Sequence, residues 1–282
     1  MIKYYSFAGV GLEIDIPDRW MYENDRYLAP FRVDRVENPS AFRFEIVPQL
    51  LPPGCECVAS TGALRVYADG TRYFGSVVDS WEQAYAQVIC NGRYHRVLLK
   101  RSQFTDRVGT NSVLNVLGAE HLIAQAGGFV FHSSYIEVGG KAILFTAPSE
   151  TGKSTQADLW NRLRGAPIHN GDRSAVRMVD GQAFACGVPF AGSSQICENV
   201  TLPLAAIVYL KQAPQTTIRR LRGAESFRRV WEGVSVNTWD RADVDTVSET
   251  VTRVLSAVPV FELACTPDES AIIALEGVLT NA

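Results

Sequence analysis

The run Ala147-Pro148-Ser149-Glu150-Thr151-Gly152-Lys153-Ser154-Thr155 combines the residue types needed to hold a polyphosphate. A helix N-terminus offers unpaired N–H groups and partial positive charge to an anion. Lysine at that point neutralises charge on terminal phosphates, and a neighbouring hydroxyl can ligate Mg²⁺. A glycine before the lysine allows close approach of backbone to phosphate. Such a loop has meaning only between a strand and a helix. Here Lys141 to Thr146 reads as a short apolar strand, and Gln156 to Leu163 has the spacing of an amphipathic helix. The implied ligand is Mg·ATP, with Lys153 on the β and γ oxygens, Ser154 on the metal and Thr155 at the next N–H. Two positions depart from the usual loop. Ala147 stands where glycine opens it, and Glu150 places an acid beside a polyanion. Like charge there is unfavourable unless the side chain turns away, so Glu150 is expected to face solvent.

Three further residues have two readings each. Asp172 follows Asn170-Gly171, a composition that favours turns; a carboxylate at a strand end could also meet a metal or an acceptor hydroxyl. His132, between Phe131 and Ser133, suits a satisfied structural histidine or a group in a site. Arg173 suits a bidentate anion contact or an ordinary ion pair. The basic stretch Arg219, Arg220, Arg222, Arg228 and Arg229 reads as a solvated loop and helix face. No Gly-x-Ser-x-Gly surrounds Ser149 or Ser193, which excludes a hydrolase nucleophile elbow.

The elements that must position these residues fall into two parts, 1–105 and 106–282. The first is β-rich. Short runs at 4–7, 12–16, 41–47, 63–67, 72–78, 84–88 and 94–99 are separated by Pro17-Asp18, Pro52-Pro53-Gly54, Asp69-Gly70 and Asn91-Gly92, which suggests a small sheet or half-barrel. It carries no evident chemistry. In the second part, 111–126 has helical spacing and ends at Gly127-Gly128. Strands at 129–138 and 141–146 meet at Gly139-Gly140, a hairpin signal. Further strands are expected at Ile168, 175–179, 183–186, 204–210 and 259–263. Helices are expected at 224–232, 244–258 and 268–279.

Composition narrows the class. The chain has 282 residues, 46% apolar and 20% charged, ordinary for a globular protein with a full core. A net charge of −3 leaves no electrostatic footprint for nucleic acid or an anionic membrane. No apolar run approaches the ~20 residues of a membrane span, and no secretory signal is visible at Met1. The six cysteines are scattered without zinc spacing and read as reduced thiols of a cytoplasmic protein.

Residues 105–280 resemble the HPr kinase/phosphorylase family, whose core is shared with ATP-dependent phosphoenolpyruvate carboxykinase. The resemblance rests on His132 opening the hairpin that leads through Gly139-Gly140 into the phosphate loop, on Asp172-Arg173 after Ile168-His-Asn-Gly, on Gly187-Val-Pro-Phe-Ala-Gly192, and on Val258-Pro-Val-Phe-Glu-Leu263. Pro148-Ser149 is similar to the HPr-kinase-like proteins of peptide-modification clusters. The family has two acids where this chain has Gly171 and Asp172. The resemblance implies an α/β (α+β) fold with a P-loop-containing core and a β-rich N-terminal domain. It implies transfer of the γ-phosphoryl of Mg·ATP to a hydroxyl on a protein, peptide or small molecule, without nucleic-acid or membrane partners, and often in a homo-oligomer. It makes Asp172 the acid that meets the acceptor or the metal, His132 a group near the transferred phosphoryl, and Arg173 a phosphate partner. The alternative is a nucleotide-binding protein with little or no catalysis. A carboxykinase-like lyase lacks matching substrate-binding Arg and Lys positions.

Overall fold

The computed structural model describes residues 2–16, 27–103 and 110–279. The expected turn at Pro17-Asp18 lies outside them. The described residues divide into two compact units, Met1–Ala119 and Glu120–Ala282, a later division than the 105/106 expected. The difference arises because helix α1 (Thr110–Leu117) packs on a strand of the first unit. Gly118, at φ 65°, breaks the expected single helix into α1 and α2 (Ala119–Gln125).

The first unit holds a mostly antiparallel sheet built from β1 (Ile2–Phe7), β2 (Val10–Asp15), β3 (Arg32–Val33), β4 (Ser40–Val47), β5 (Cys57–Ser60), β6 (Leu64–Tyr67), β7 (Arg72–Phe74), β8 (Ala86–Asn91) and β9 (Tyr94–Lys100). Their order is β3-β1-β2-β4-β9-β8-β7-β6-β5, with β4 parallel to both neighbours. The sheet is open, so the half-barrel is not formed among the described residues. Alternation fixes the faces: Val10, Leu12 and Ile14 of β2 are buried, while Gly11, Glu13 and Asp15 are partly exposed.

The second unit is mixed α/β. It contains β10 (Gly128–Val138), β11 (Lys141–Thr146), α3 (Lys153–Arg164), β12 (Ile168–Asn170), β13 (Arg173–Val179), β14 (Gln182–Gly187), β15 (Thr201–Gln212), β16 (Thr217–Leu221), α4 (Gly223–Trp231), β17 (Val234–Ser235), α5 (Arg241–Ala257), β18 (Val260–Cys265) and α6 (Glu269–Leu279). Gly139 and Gly140, at φ 59° and 74°, supply the left-handed pair that closes β10 onto β11.

Two strands are long enough to change partners along their length. The first half of β10, through His132, pairs with β13; from Ser133 onward it pairs with β11. Likewise β15 starts on β14 and continues parallel to β11 and then β18. The strands β10, β11, β15, β14 and β13 therefore form a closed ring. Apolar clusters fill both faces. One gathers Phe129, Phe131 and Tyr135 with Val247, Val251 and Val254 of α5; the other gathers Ile136, Phe145, Trp160 and Leu275.

One segment differs from its expected type. Thr217–Leu221 is a strand antiparallel to β18, not a solvated loop or helix face. Its Arg219 is held by Glu225 and Glu262 at 2.7 and 2.9 Å. Ile218 and Leu221, three apart, fit a helix as well as a strand, so periodicity alone could not decide.

Candidate functional site

The strand β11 ends at Thr146, the chain turns through Ala147–Gly152, and α3 begins at Lys153. This geometry is set locally. Gly152 has φ 113° and ψ 21°, and a Cβ there would meet nothing within 4 Å, so open space lies before the helix. Glu150 is also left-handed, at φ 64°, and is exposed with Pro148 and Ser149. Thr151 is partly buried, and Ser154 and Thr155 of the first helical turn are exposed. Ala147, where glycine was expected, is 6% exposed and belongs to the core beside α3.

Lys153 does not project into solvent. It is 7% exposed, and its Nζ donates to the carbonyl oxygens of Ala147 at 3.0 Å and Pro148 at 3.3 Å. Burial lowers its pKa, and the charge of Asp172 works against that lowering. The ammonium is thus anchored across the mouth of the loop with a carboxylate within electrostatic reach.

The second wall forms where β10 changes sheets. His132 is the last residue paired with β13, opposite Arg173, and Ser133 is the first paired with Thr146. The backbone is pinned by His132 N–H to Gly233 O (2.7 Å), Ser133 N–H to Asp172 O (3.0 Å) and the Thr146 hydroxyl to His132 O (3.0 Å). Asn170, fully buried, makes the turn: its Oδ1 accepts from the N–H groups of Asp172 (3.1 Å) and Arg173 (3.0 Å). The Asp172 carboxylate is consequently not the turn's acceptor. It lies 3.5 Å from His132 Nε2 and 3.7 Å from Arg173 Nε. The His132 contact, with help from Arg173 and Lys153, outweighs burial and holds its pKa below the usual 3.8. At 3.5 Å the His132 contact is ionic in character rather than a short hydrogen bond. Arg173 also reaches Glu120 at 3.9 Å and lies 5.7 Å from the Phe190 ring centre.

A depressed carboxyl stabilises the fold above its unfolded pKa, and that stability is lost as pH falls through the lower folded value. The unfolding free energy of wild type minus that of Asp172→Asn should therefore shrink on acidification below about pH 4 and stay flat above pH 6. Denaturant titrations across pH 2–7 check this.

The sequence gave no sign of what lies under Asp172. A Cβ on Gly192 would fall 2.5 Å from the Asp172 Cβ, so the carboxylate rests directly on that glycine's backbone. At Gly171, where the family carries its first acid, a Cβ would fall 2.0 Å from Ser194 Oγ. That hydroxyl is itself fixed, donating to Ala191 O at 2.8 Å. The turn at Gly192–Ser194 thus fills the space of a second acid. Gly171→Asp alone should lower stability by about 1–3 kcal/mol through overpacking, and Ser194→Gly in the same chain should recover most of it. Thermal unfolding of the single and double variants reads both.

Glu137 and Glu198 do not supply the missing acid. They clamp His169, with Glu137 Oε2 2.8 Å from Nε2 and Glu198 Oε2 2.7 Å from Nδ1, and its ring packs edge-on against Tyr135 at 5.1 Å. A separate cluster is committed internally: His121 Nδ1 lies 2.8 Å from Asp243, Asn237 donates to Asp243 at 3.0 Å, and Asp240 caps α5. Next to Thr146 in the sheet, Tyr209 donates to Glu232 at 3.0 Å under the Arg229 guanidinium; Arg229 is therefore not a purely solvated residue. Among the described residues no helix is long and apolar enough to cross a membrane.

No family model matches the chain, and no curated protein matches it. Among solved structures, the Hpr(Ser) kinase/phosphatase from Coxiella burnetii is similar over 54% of this chain and 88% of its own, at 12% identity and a TM-score of 0.32. A likeness of that degree carries no argument about activity, which must be reasoned from the site.

Proposed function

We propose that the second unit is a P-loop core of the HPr kinase and phosphoenolpyruvate carboxykinase kind, and that it transfers the γ-phosphoryl of Mg·ATP to a hydroxyl. The observation that carries the proposal is the pairing of a buried, anchored Lys153 at the start of α3 with Asp172 on the facing strand end. The residues present fit the ligand. Open space before Gly152, exposed Ser154 and Thr155 hydroxyls and the free N–H groups of the first turn form a cradle for phosphate. Mg²⁺, held by Ser154 with Asp172 beside it, would supply charge neutralisation on the phosphates.

The chain's own part is positioning. Lys153 holds the terminal phosphates by charge. Asp172, ionised because His132 and Arg173 favour its charged form, accepts the proton of the acceptor hydroxyl. His132 and Arg173 orient that carboxylate, and Arg173 can turn to an equatorial phosphoryl oxygen. The acceptor is a hydroxyl on a protein, a peptide or a small molecule.

A second reading has its own support. Ser194 occupies the space of the family's first acid, and a site with one carboxylate suits a nucleotide-binding regulatory protein with weak catalysis. Titration calorimetry with Mg·ATP, followed by ADP release from the same sample, separates the two. Binding with ADP release supports transfer, binding without it supports the regulatory reading, and no binding removes both.

A further inference from the structure

A cavity of about 490 Å³ opens beside the phosphate loop, lined on one side by Glu150, Thr151 and Gln156 and on the other by Ala213, Pro214 and Cys265. It lies at the C-terminal ends of the parallel strands β15 and β18, the place where open α/β sheets bind ligands. Its size suits a nucleoside rather than a macromolecular segment. Glu150 and Thr151 belong both to the phosphate loop and to this cavity, so a ligand with its phosphates on Lys153 has its remainder directed here.

One side chain in it is unsatisfied. Gln156 is 3% exposed. Its Nε2 reaches Cys265 Sγ at 3.4 Å, while its Oε1 is buried without a hydrogen-bond partner. A buried unpaired amide oxygen costs about 1–3 kcal/mol, and a lone acceptor in a ligand-sized cavity is explained by a donor that arrives with the ligand. Apolar walls at Leu210, Ala213, Pro214 and Pro267 suit a flat ring, leaving Gln156 as the polar group positioned to read the ring's edge.

We infer that this cavity takes the purine base of the nucleotide and that Gln156 Oε1 accepts from an exocyclic amine, which selects a 6-aminopurine over a 6-oxopurine. The inference rests on the phosphate-loop reading and goes beyond it by assigning the base. A 6-oxo group would place acceptor against acceptor and leave both buried and unpaired, the arrangement that sites discriminate against most strongly.

The full chain is titrated with the Mg²⁺ complexes of ATP, ITP and GTP, and with Mg·tripolyphosphate, which carries the phosphates without a base. The expected result is ATP binding at least tenfold tighter than ITP or GTP. Gln156→Met, which keeps the volume and removes the acceptor, should bring the three nucleotides within about twofold while leaving tripolyphosphate binding unchanged. That unchanged binding also reports that the variant is folded; were the variant unfolded, the wild-type ATP/ITP ratio decides alone. Equal wild-type binding of ATP, ITP and GTP, or a preference for the 6-oxo bases, overturns the base assignment while tripolyphosphate binding keeps the phosphate loop. No binding of tripolyphosphate or of any nucleotide overturns both.

Discussion

Lys153→Ala is expected to lower ATP-dependent turnover by about 10²–10³-fold or more, the range seen when one preorganised charge-stabilising donor is removed. The expectation follows from position. Lys153 is buried, and its Nζ is tied to two loop carbonyls, so it is held ready rather than recruited. Burial lowers its pKa, which means the fold tolerates the charge at a cost. A neutral replacement therefore should not unfold the chain, and circular dichroism of the variant should match wild type. Lys153→Arg should not rescue, because a planar fork cannot take the place of a compact ammonium. Retention of wild-type turnover by Lys153→Ala would remove the loop from the reaction.

Asp172→Asn is expected to separate binding from chemistry. The amide keeps the shape of the side chain above Gly192 but cannot accept a proton, so turnover should fall about 10²–10⁴-fold while Mg·ATP still binds. Asp172 also opposes the lowering of the Lys153 pKa. Removing its charge lowers that pKa further, so nucleotide binding by the variant should be lost at a lower pH on the alkaline side than in wild type. Steady-state turnover with parallel binding titrations from pH 6 to 10 measures both effects. An equal loss of binding and turnover would make Asp172 a structural group. A single alkaline limb shared by wild type and variant would break the electrostatic link between the two residues.

How much of this was legible beforehand depends on the range of each signal. The loop was legible because its meaning is local: an apolar strand, Gly152-Lys153-Ser154-Thr155 and an amphipathic helix occupy one continuous stretch. The Gly139-Gly140 and Asp180-Gly181 hairpins were legible for the same reason. The switch of β10 between two sheets was not, because it depends on strand length and on partners brought in from β11 and β13. The division of roles between Asn170 and Asp172 needed side-chain geometry, since either residue could close the turn by composition. Ser194 and Gly192 lie some twenty residues further along the chain, and nothing in their types announces that they sit against Gly171 and Asp172. Cys265 and Gln156 meet across an even longer separation, which hides the cavity from any pattern search. Gly118 did carry a usable signal, a glycine inside a helical pattern, and the break it imposes moves α1 into the first unit.

The central claim is that this chain moves the γ-phosphoryl group, and the most direct test follows that group. The full chain is incubated with Mg²⁺ and ATP carrying a radiolabelled γ-phosphate, with serine-containing peptides and small hydroxyl compounds offered as acceptors, and Lys153→Ala and Asp172→Asn run in parallel. The account predicts that label leaves ATP for a hydroxyl acceptor in the wild-type sample and stays on ATP in both variants. Label that stays on ATP in the wild-type sample, with Mg·ATP bound to the protein, would contradict phosphoryl transfer and leave a nucleotide-binding protein.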